Sequence, residues 1–332
     1  MPSRPRIPLS LLILVVSPTF ASASGGPNND VLDSSGSGEG ASFYLEPMDA
    51  AHFAFCVVFA VVTFLQSLRA LNNLRRRIIK FPPSISSLDF STGFAFPIFL
   101  LASTISLTIS YILHGIYWGV TNNVNDSIPR KFSSGYFGAW NATGFLADIS
   151  LLLSILALLS HREKILLDTP RTTRSVKRAA DMILLVVLLG LSMGTVSLEV
   201  AGLAEGIRHN LYLTYLSFFL FGVLDVAVHS IILFAQSRDS FIEDHSITLC
   251  TAFVISPLFF IYAVFPILVE GLLKPDIDPD AYQDEPVWQL AGLALGCITE
   301  VIVIQTCLGF GVPRMEIASE ETGLDPEPDK AA

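Results

Sequence analysis

Residues 211–236 read LYLTYLSFFLFGVLDVAVHSIILFAQ, and this stretch decides the fold. About 20 consecutive apolar residues are enough to cross a bilayer as a helix, so the stretch predicts a transmembrane helix. Asp225 lies near its middle, and His229 follows one helical turn later on the same face. Ionisable side chains at that depth face a bundle interior or a wet cavity rather than lipid. The stretch is therefore expected to be one member of a larger bundle.

The composition of the whole chain supports a membrane protein. Of the 332 residues, 52% are hydrophobic and 15% are charged, and the mean hydropathy is +0.58. Soluble domains carry about 25% charged residues. The formal net charge of −10 comes mainly from acidic residues in the segment 276–285 and in the tail after residue 315. No basic face for nucleic acid is present in the sequence, which argues against a nucleic-acid partner.

Seven long apolar segments follow one another along the chain. They predict an all-α membrane protein, a seven-transmembrane helix bundle over residues 50–312, with the lipid bilayer as its surroundings. The segments lie at residues 50–71, 94–120, 141–160, 181–204, 211–236, 245–272 and 288–312. Prolines 97, 257 and 266 are expected to bend the second and sixth helices. The glycine pairs at 190/194 and 292/296 are expected to let helices approach closely.

The flanking segments and the loop charges set the expected orientation. Residues 1–23 resemble a signal peptide, with a basic start, the apolar run LSLLILVV and the Ala21-Ser22-Ala23 cleavage pattern. Residues 24–49 are expected to form a flexible extracellular or lumenal tail, and residues 313–332 an acidic disordered cytosolic tail. Most of the 20 basic residues lie in the loops that a cleaved signal would leave in the cytosol. We expect the plasma membrane or another secretory-pathway membrane.

Two glycosylation sequons agree with this orientation. Asn125-Asp126-Ser127 and Asn141-Ala142-Thr143 are N-x-S/T acceptors, and both fall in a predicted outer loop or at its edge. Asn125 is the better candidate, because Asn141 is close to the predicted membrane boundary. Cys56, Cys250, Cys297 and Cys307 all lie in predicted helices, so no extracellular disulfide framework is expected.

Polar side chains within the predicted helices are the candidate functional residues. Each costs about 2–4 kcal/mol in lipid unless it is paired or hydrated. We therefore expect them to line one outward-facing acidic pocket for a small cationic or protonatable ligand. The six residues are His114, Asp148, Glu199, Asp225, His229 and Glu300. No lysine or arginine falls in the predicted helix cores, so the acids are expected to be protonated, paired with histidine, or bound to a cation.

No motif of a soluble enzyme stands in its proper structural context. The sequence contains no P-loop, no H-E-x-x-H and no zinc-spaced cysteine and histidine set. Its one G-x-S-x-G match, Gly190-Leu191-Ser192-Met193-Gly194, lies inside the predicted fourth transmembrane helix rather than at a strand-to-helix turn. The Asp276-Ile277-Asp278-Pro279-Asp280 run departs from the calcium-loop pattern at Ala281 and Val287. We expect neither a metal nor a cofactor. A lysine-linked retinal is excluded, because the last predicted helix has no lysine.

The layout of seven helices with an outer N-terminus resembles that of G-protein-coupled receptors. The resemblance is one of topology, since the third helix ends in Ser160-His161-Arg162-Glu163 in place of Asp-Arg-Tyr. The resemblance by itself carries no function. The pocket of intramembrane acids favours a receptor or sensor that binds a small cationic or protonatable ligand. A cytosolic partner would then bind the basic inner loops, at Arg75–Arg77 and at 171–178. Those clusters equally suit a role in setting the topology.

Two other functions stay open at this stage, and the sequence favours an enzyme less than a receptor. In the first, a membrane-embedded enzyme uses Asp225 and Glu300 for general acid chemistry on a lipid or isoprenoid. Small seven-helix terpene cyclases use such a carboxyl pair. In the second, a proton- or cation-coupled transporter uses the intramembrane acids as a relay. The sequence shows no internal repeat, which a paired-repeat transporter would have.

Overall fold

The computed structural model describes residues 47–80, 95–121, 132–166, 171–202, 205–237, 245–272 and 285–310. Nearly all of these residues are helical, and no strand occurs among them. Each of the seven helices contains a segment long and apolar enough to cross a membrane, so the predicted set of seven apolar helices is confirmed. The helices are α1 (Pro47–Lys80), α2 (Ala95–Thr121), α3 (Ser134–Leu166), α4 (Arg171–Ala201), α5 (Glu205–Ser237), α6 (residues 245–272) and α7 (Glu285–Gly309).

Contacts between α2 and α3 show that these consecutive helices run antiparallel. The Ser103 hydroxyl of α2 donates to the Ala147 carbonyl of α3 at 3.0 Å. Later in α2, the Leu113 carbonyl accepts from Tyr136, which comes earlier in α3. α7 returns to α1, where Gln66 Nε2 donates to the Val301 carbonyl at 3.1 Å. One end of the bundle holds the starts of α1, α3, α5 and α7, and we call it the Pro47 end. The opposite end, where α1 finishes, is the Lys80 end.

Helix α3 lies in the centre of the bundle. In its apolar segment 61% of the residues are buried, against 17% in those of α1 and α4. Outward faces of α1 and α4 carry large apolar side chains, such as Val61, Leu65 and Ile183, which suits contact with lipid acyl chains. Gly222 of α5 packs closely on the centre, since a Cβ there would lie 2.8 Å from Leu152 and 3.1 Å from Leu184.

Several helix boundaries differ from the sequence prediction. The third helix begins at Ser134 rather than at residue 141, because the Ser133 side chain accepts a hydrogen bond from the Tyr136 N–H and caps the helix. Asn141 consequently lies inside a helix. The basic segments predicted as inner loops are largely helical, since α1 continues to Lys80 and α4 begins at Arg171. Basic residues at helix ends interact with water and headgroups as loop residues would.

Helix α6 is interrupted by a wider turn. It consists of an α-helical turn at His245–Cys250, a π-helical segment at Thr251–Ile255 and the α-helix Ser256–Leu272. The Ser256 N–H bonds to the Thr251 carbonyl, five residues back, and Pro257 follows at once. Proline lacks an N–H and its ring crowds the preceding turn, so the widened turn accommodates Pro257. Pro97, by contrast, stands in the first turn of α2, where proline needs no bend.

The glycine pairs behave differently. Gly292 and Gly296 of α7 face Phe265 and Tyr262 of α6, as close helix packing requires. Gly190 of α4 differs, because a Cβ added there would have no described neighbouring atom within 4 Å.

Several predictions lie outside the described residues and stay predictions: the signal peptide, the flexible and acidic tails, the Asn125 sequon and the acidic run at 276–280.

Candidate functional site

The structure divides the six predicted site residues into two groups. Asp148 and Glu300 are joined at the centre of the bundle, with Glu199 and His114 lining cavities towards the Pro47 end. Asp225 and His229 lie with Lys177 and Glu163 on the Lys80 side. The two groups are connected to different neighbours, and Asp225 is about 15 Å further along α5 than the Tyr215 that contacts Asp148.

Asp148 is held by two tyrosine hydroxyl groups. Tyr262 of α6 donates to Oδ1 at 2.5 Å, and Tyr215 of α5 donates to Oδ2 at 3.3 Å. Asp148 lies about 21 Å along α3 from the first residue of that helix, close to its middle. Tyr215 is fully buried, whereas Asp148 and Tyr262 keep part of their surface open to a cavity. A carboxyl group fixed in this way has a defined direction and can still contact a ligand.

Glu300 of α7 lies behind Asp148 and is 6% exposed. It accepts a hydrogen bond from Tyr111 of α2, and Tyr262 is also within hydrogen-bonding reach of it. Tyr262 therefore stands between two carboxyl groups and has one hydroxyl proton to donate. The two carboxyl groups are electrostatically coupled across it. Five helices, α2, α3, α5, α6 and α7, thus contribute one side chain each to a single polar network.

A cavity of about 430 Å³ opens onto Asp148. Its walls are largely aromatic, and its charged lining consists of Asp148, Glu199 and Arg208, with His209 beside them. Arg208 bonds to Glu199, so the Asp148 carboxyl faces the space without a basic side chain bonded to it. The aromatic residues of the lining are Trp140, Phe145, Tyr212, Tyr215, Phe219 and Tyr262.

The second polar group connects α3, α4 and α5. Lys177 bonds to His229 Nδ1, and its Nζ lies 3.8 Å from Asp225 Oδ2. His229 Nε2 lies 3.7 Å from Glu163 Oε2. The Asp225 side chain is 42% exposed and that of Glu163 only 9%, so the group extends from the buried face of α3 to the outer surface. Asp225 and Glu300, the pair proposed for an enzyme, belong to different groups.

The expectation that no basic side chain reaches the intramembrane acids is wrong. Arg208 pairs with Glu199 and Lys177 with Asp225. Both basic residues lie near helix ends, and long flexible side chains extend along the helix towards polar partners. α4 and α5 have 31 and 33 residues, more than the bilayer core requires. The sequence prediction began these helices too late and so treated Lys177 and Arg208 as loop residues out of reach of the acids.

Sequence reasoning missed the tyrosines. Tyr111, Tyr215 and Tyr262 each stand in an apolar helix and read as packing residues. The available signal was that a buried tyrosine hydroxyl needs a hydrogen-bond partner, and buried carboxyl groups are natural acceptors. Glu163 was missed because it follows the predicted end of the third helix, which the structure extends to Leu166.

The described ranges show neither a candidate metal site nor a disulfide bond. They contain no group of three or more metal-ligating side chains, and all four cysteines are free thiols. No family model, no curated protein and no solved structure matches the chain. The site therefore has to be interpreted from its own geometry.

Proposed function

We propose that this multi-pass membrane protein is a receptor or sensor that binds a small cationic ligand at Asp148. The observation that carries the proposal is the Asp148 carboxyl, fixed by Tyr215 and Tyr262 and facing an aromatic cavity of about 430 Å³. A carboxylate attracts an ammonium group, and aromatic faces add cation–π attraction of about 0.5–2 kcal/mol each. A cavity of this size suits a small organic ligand.

The charge distribution supports a cation rather than an anion. Arg208 is already bonded to Glu199, and Glu300 adds a second carboxyl group behind Asp148. An anionic ligand would contact the Asp148 carboxyl group, with the Glu300 carboxyl group behind it. The Glu199–Arg208 pair lines the same cavity from α4 and α5, nearer the Pro47 end. It is placed to contact a ligand that enters from that side.

Ligand binding tests the proposal directly. Phenethylamine serves as the cationic aromatic probe and phenethyl alcohol as its neutral isostere, each measured by equilibrium dialysis against protein in nanodiscs. We expect the amine to bind more tightly than the alcohol, and Asp148→Asn to weaken the amine at least about 30-fold, equivalent to about 2 kcal/mol for a broken buried charge pair. Asp225→Asn is the matched control, because Asp225 belongs to the other polar group.

The outcome of the control decides between the two acids. If Asp225→Asn abolishes amine binding and Asp148→Asn leaves it intact, the ligand site has been assigned to the wrong group. If neither probe binds, or both bind equally in every variant, the cationic-ligand proposal fails. The second part of the receptor proposal is that a cytosolic partner binds the basic segments at Arg75–Arg77 and 171–178. Co-purification of that partner only in the presence of the ligand tests it.

The carboxyl–tyrosine network favours a second candidate function, proton-coupled transport. Asp148, Tyr262, Glu300 and Tyr111 form an unbroken series of groups that can exchange protons across the bundle centre. Proteoliposomes with a pH-sensitive dye inside measure this activity. Transport predicts a proton flux that Tyr262→Phe abolishes, whereas a receptor predicts no flux from either protein.

A further inference from the structure

A second cavity, of about 550 Å³, adjoins the Asp148 cavity at the Pro47 end. The two share Trp140, Tyr212 and Pro266 as walls. None of the described residues that line the second cavity carries a carboxyl group. Its walls are mostly aromatic, with two histidines, His52 of α1 and His114 of α2. A site of this composition suits a neutral aromatic or alicyclic molecule rather than a cation.

Two polar atoms in this wall have no hydrogen-bond partner among the residues that the structure describes. His52 is 2% exposed, and its Nδ1–H donates to the Met48 carbonyl at 3.0 Å. In the neutral ring Nε2 is then an acceptor, and nothing donates to it. The Trp118 Nε1–H likewise finds no acceptor. Buried polar groups are nearly always paired, so two orphan atoms in one wall are unusual.

The two orphan atoms belong to one stacked pair of rings. The centroids of His52 and Trp118 are 4.2 Å apart, and the ring planes differ by 18°. One atom accepts and the other donates. A hydroxyl group does both, since it donates its proton and accepts through its oxygen. A hydroxyl group therefore carries both the donor and the acceptor that this ring pair lacks.

The aromatic cluster continues from Trp118 along the wall of the cavity. The ring centroids of His114 and Trp140 are 4.2 Å apart, and those of Tyr117 and Phe137 are 5.5 Å apart. Aromatic rings favour offset or edge contacts with another ring at such separations. Tryptophan and tyrosine also concentrate where a membrane meets water, which is where a weakly polar hydroxyl compound accumulates.

We propose that this second cavity binds a planar apolar molecule bearing one hydroxyl group, which pairs with His52 Nε2 and Trp118 Nε1–H while its ring packs on Trp140. The site is separate from the cation site at Asp148 and does not depend on the receptor proposal. Neither nitrogen is exposed in this conformation, so binding requires the His52 and Trp118 rings to shift and open these atoms to the cavity.

A matched pair of probes isolates the hydroxyl contribution. 4-Propylphenol donates and accepts, whereas 4-propylanisole has nearly the same shape and can only accept. Equilibrium dialysis against protein-bearing and empty nanodiscs removes partition into lipid from the comparison. We expect the phenol to bind at least about 5-fold more tightly than the anisole. In His52→Phe, which keeps a ring in the stack, that preference is expected to disappear while anisole binding stays within twofold.

The remaining outcomes are equally decisive. Asp148→Asn is expected to leave both probe affinities unchanged, which separates this site from the cation site. Equal binding of phenol and anisole to the unsubstituted protein overturns the proposal, even if no variant can be purified. The same conclusion follows if neither probe binds, or if the preference survives in His52→Phe.

Discussion

Replacing Tyr262 with phenylalanine tests the central network most directly. The substitution keeps the ring and removes the hydroxyl that stands between Asp148 and Glu300. Leaving a buried polar group without its partner costs about 1–3 kcal/mol, and here two carboxyl groups lose a shared neighbour. We expect the free energy of unfolding to fall by about 2–3 kcal/mol, towards the top of that range. Tyr215→Phe removes only the longer 3.3 Å bond, so about 1 kcal/mol is expected for it.

Unfolding of purified protein in bicelles, followed by helical circular dichroism during titration with dodecyl sulfate, measures both variants on one scale. A double-mutant cycle of Tyr262→Phe and Glu300→Gln measures the electrostatic interaction between the Asp148 and Glu300 carboxyl groups. Removing the Glu300 charge with Glu300→Gln should recover about 1 kcal/mol of the loss caused by Tyr262→Phe, because the two carboxyl groups no longer face each other. The reasoning is refuted if Tyr262→Phe costs no more than Tyr215→Phe and Glu300→Gln recovers nothing.

Three further pairs of substitutions test other parts of the protein. Gly222→Ala should destabilise the protein by about 1–3 kcal/mol in the same assay, because its Cβ would press on Leu152, whereas Gly190→Ala should change stability by less than about 1 kcal/mol. Lys177→Met should cost about 1–2 kcal/mol and Lys177→Arg less, since arginine keeps the charge beside Asp225; equal losses would contradict this pairing. Expression in a glycosylating host should give a mobility shift that Asn125→Gln removes and Asn141→Gln retains.

The sequence predicts the seven helices well because crossing a bilayer imposes a simple requirement. A helix must be long and apolar, and each of the seven segments shows both properties locally. Helix ends are harder to predict, since they depend on single caps such as Ser133 and on how far polar helix extends beyond the lipid. The start of the third helix was misplaced for this reason.

The candidate site was only partly predictable. Acidic residues within apolar segments can be recognised as candidates because placing them in lipid costs free energy. Asp148 and Glu300 do belong to one network. Which acids meet depends on helix rotation, and sequence spacing fixes rotation only within one helix. Asp225 and His229 share a face of α5 as predicted, yet that face points towards Lys177 rather than Asp148. A search for charged residues does not find their tyrosine partners, because tyrosine is neutral.

The widened turn in α6 has a consequence for how this helix can change during evolution. A π-helical turn holds one residue more than an α-helical turn, so it resembles a single-residue insertion within an older α-helix. Deleting one residue from 251–255 would let the wide turn close to an α-helical turn, and residues 245–250 would keep nearly the same rotation relative to the half that carries Tyr262. The Ser230–Ser256 contact at 2.9 Å lies at that junction. The wide turn therefore absorbs a change of one residue in the length of α6, and Tyr262 keeps its place against Asp148.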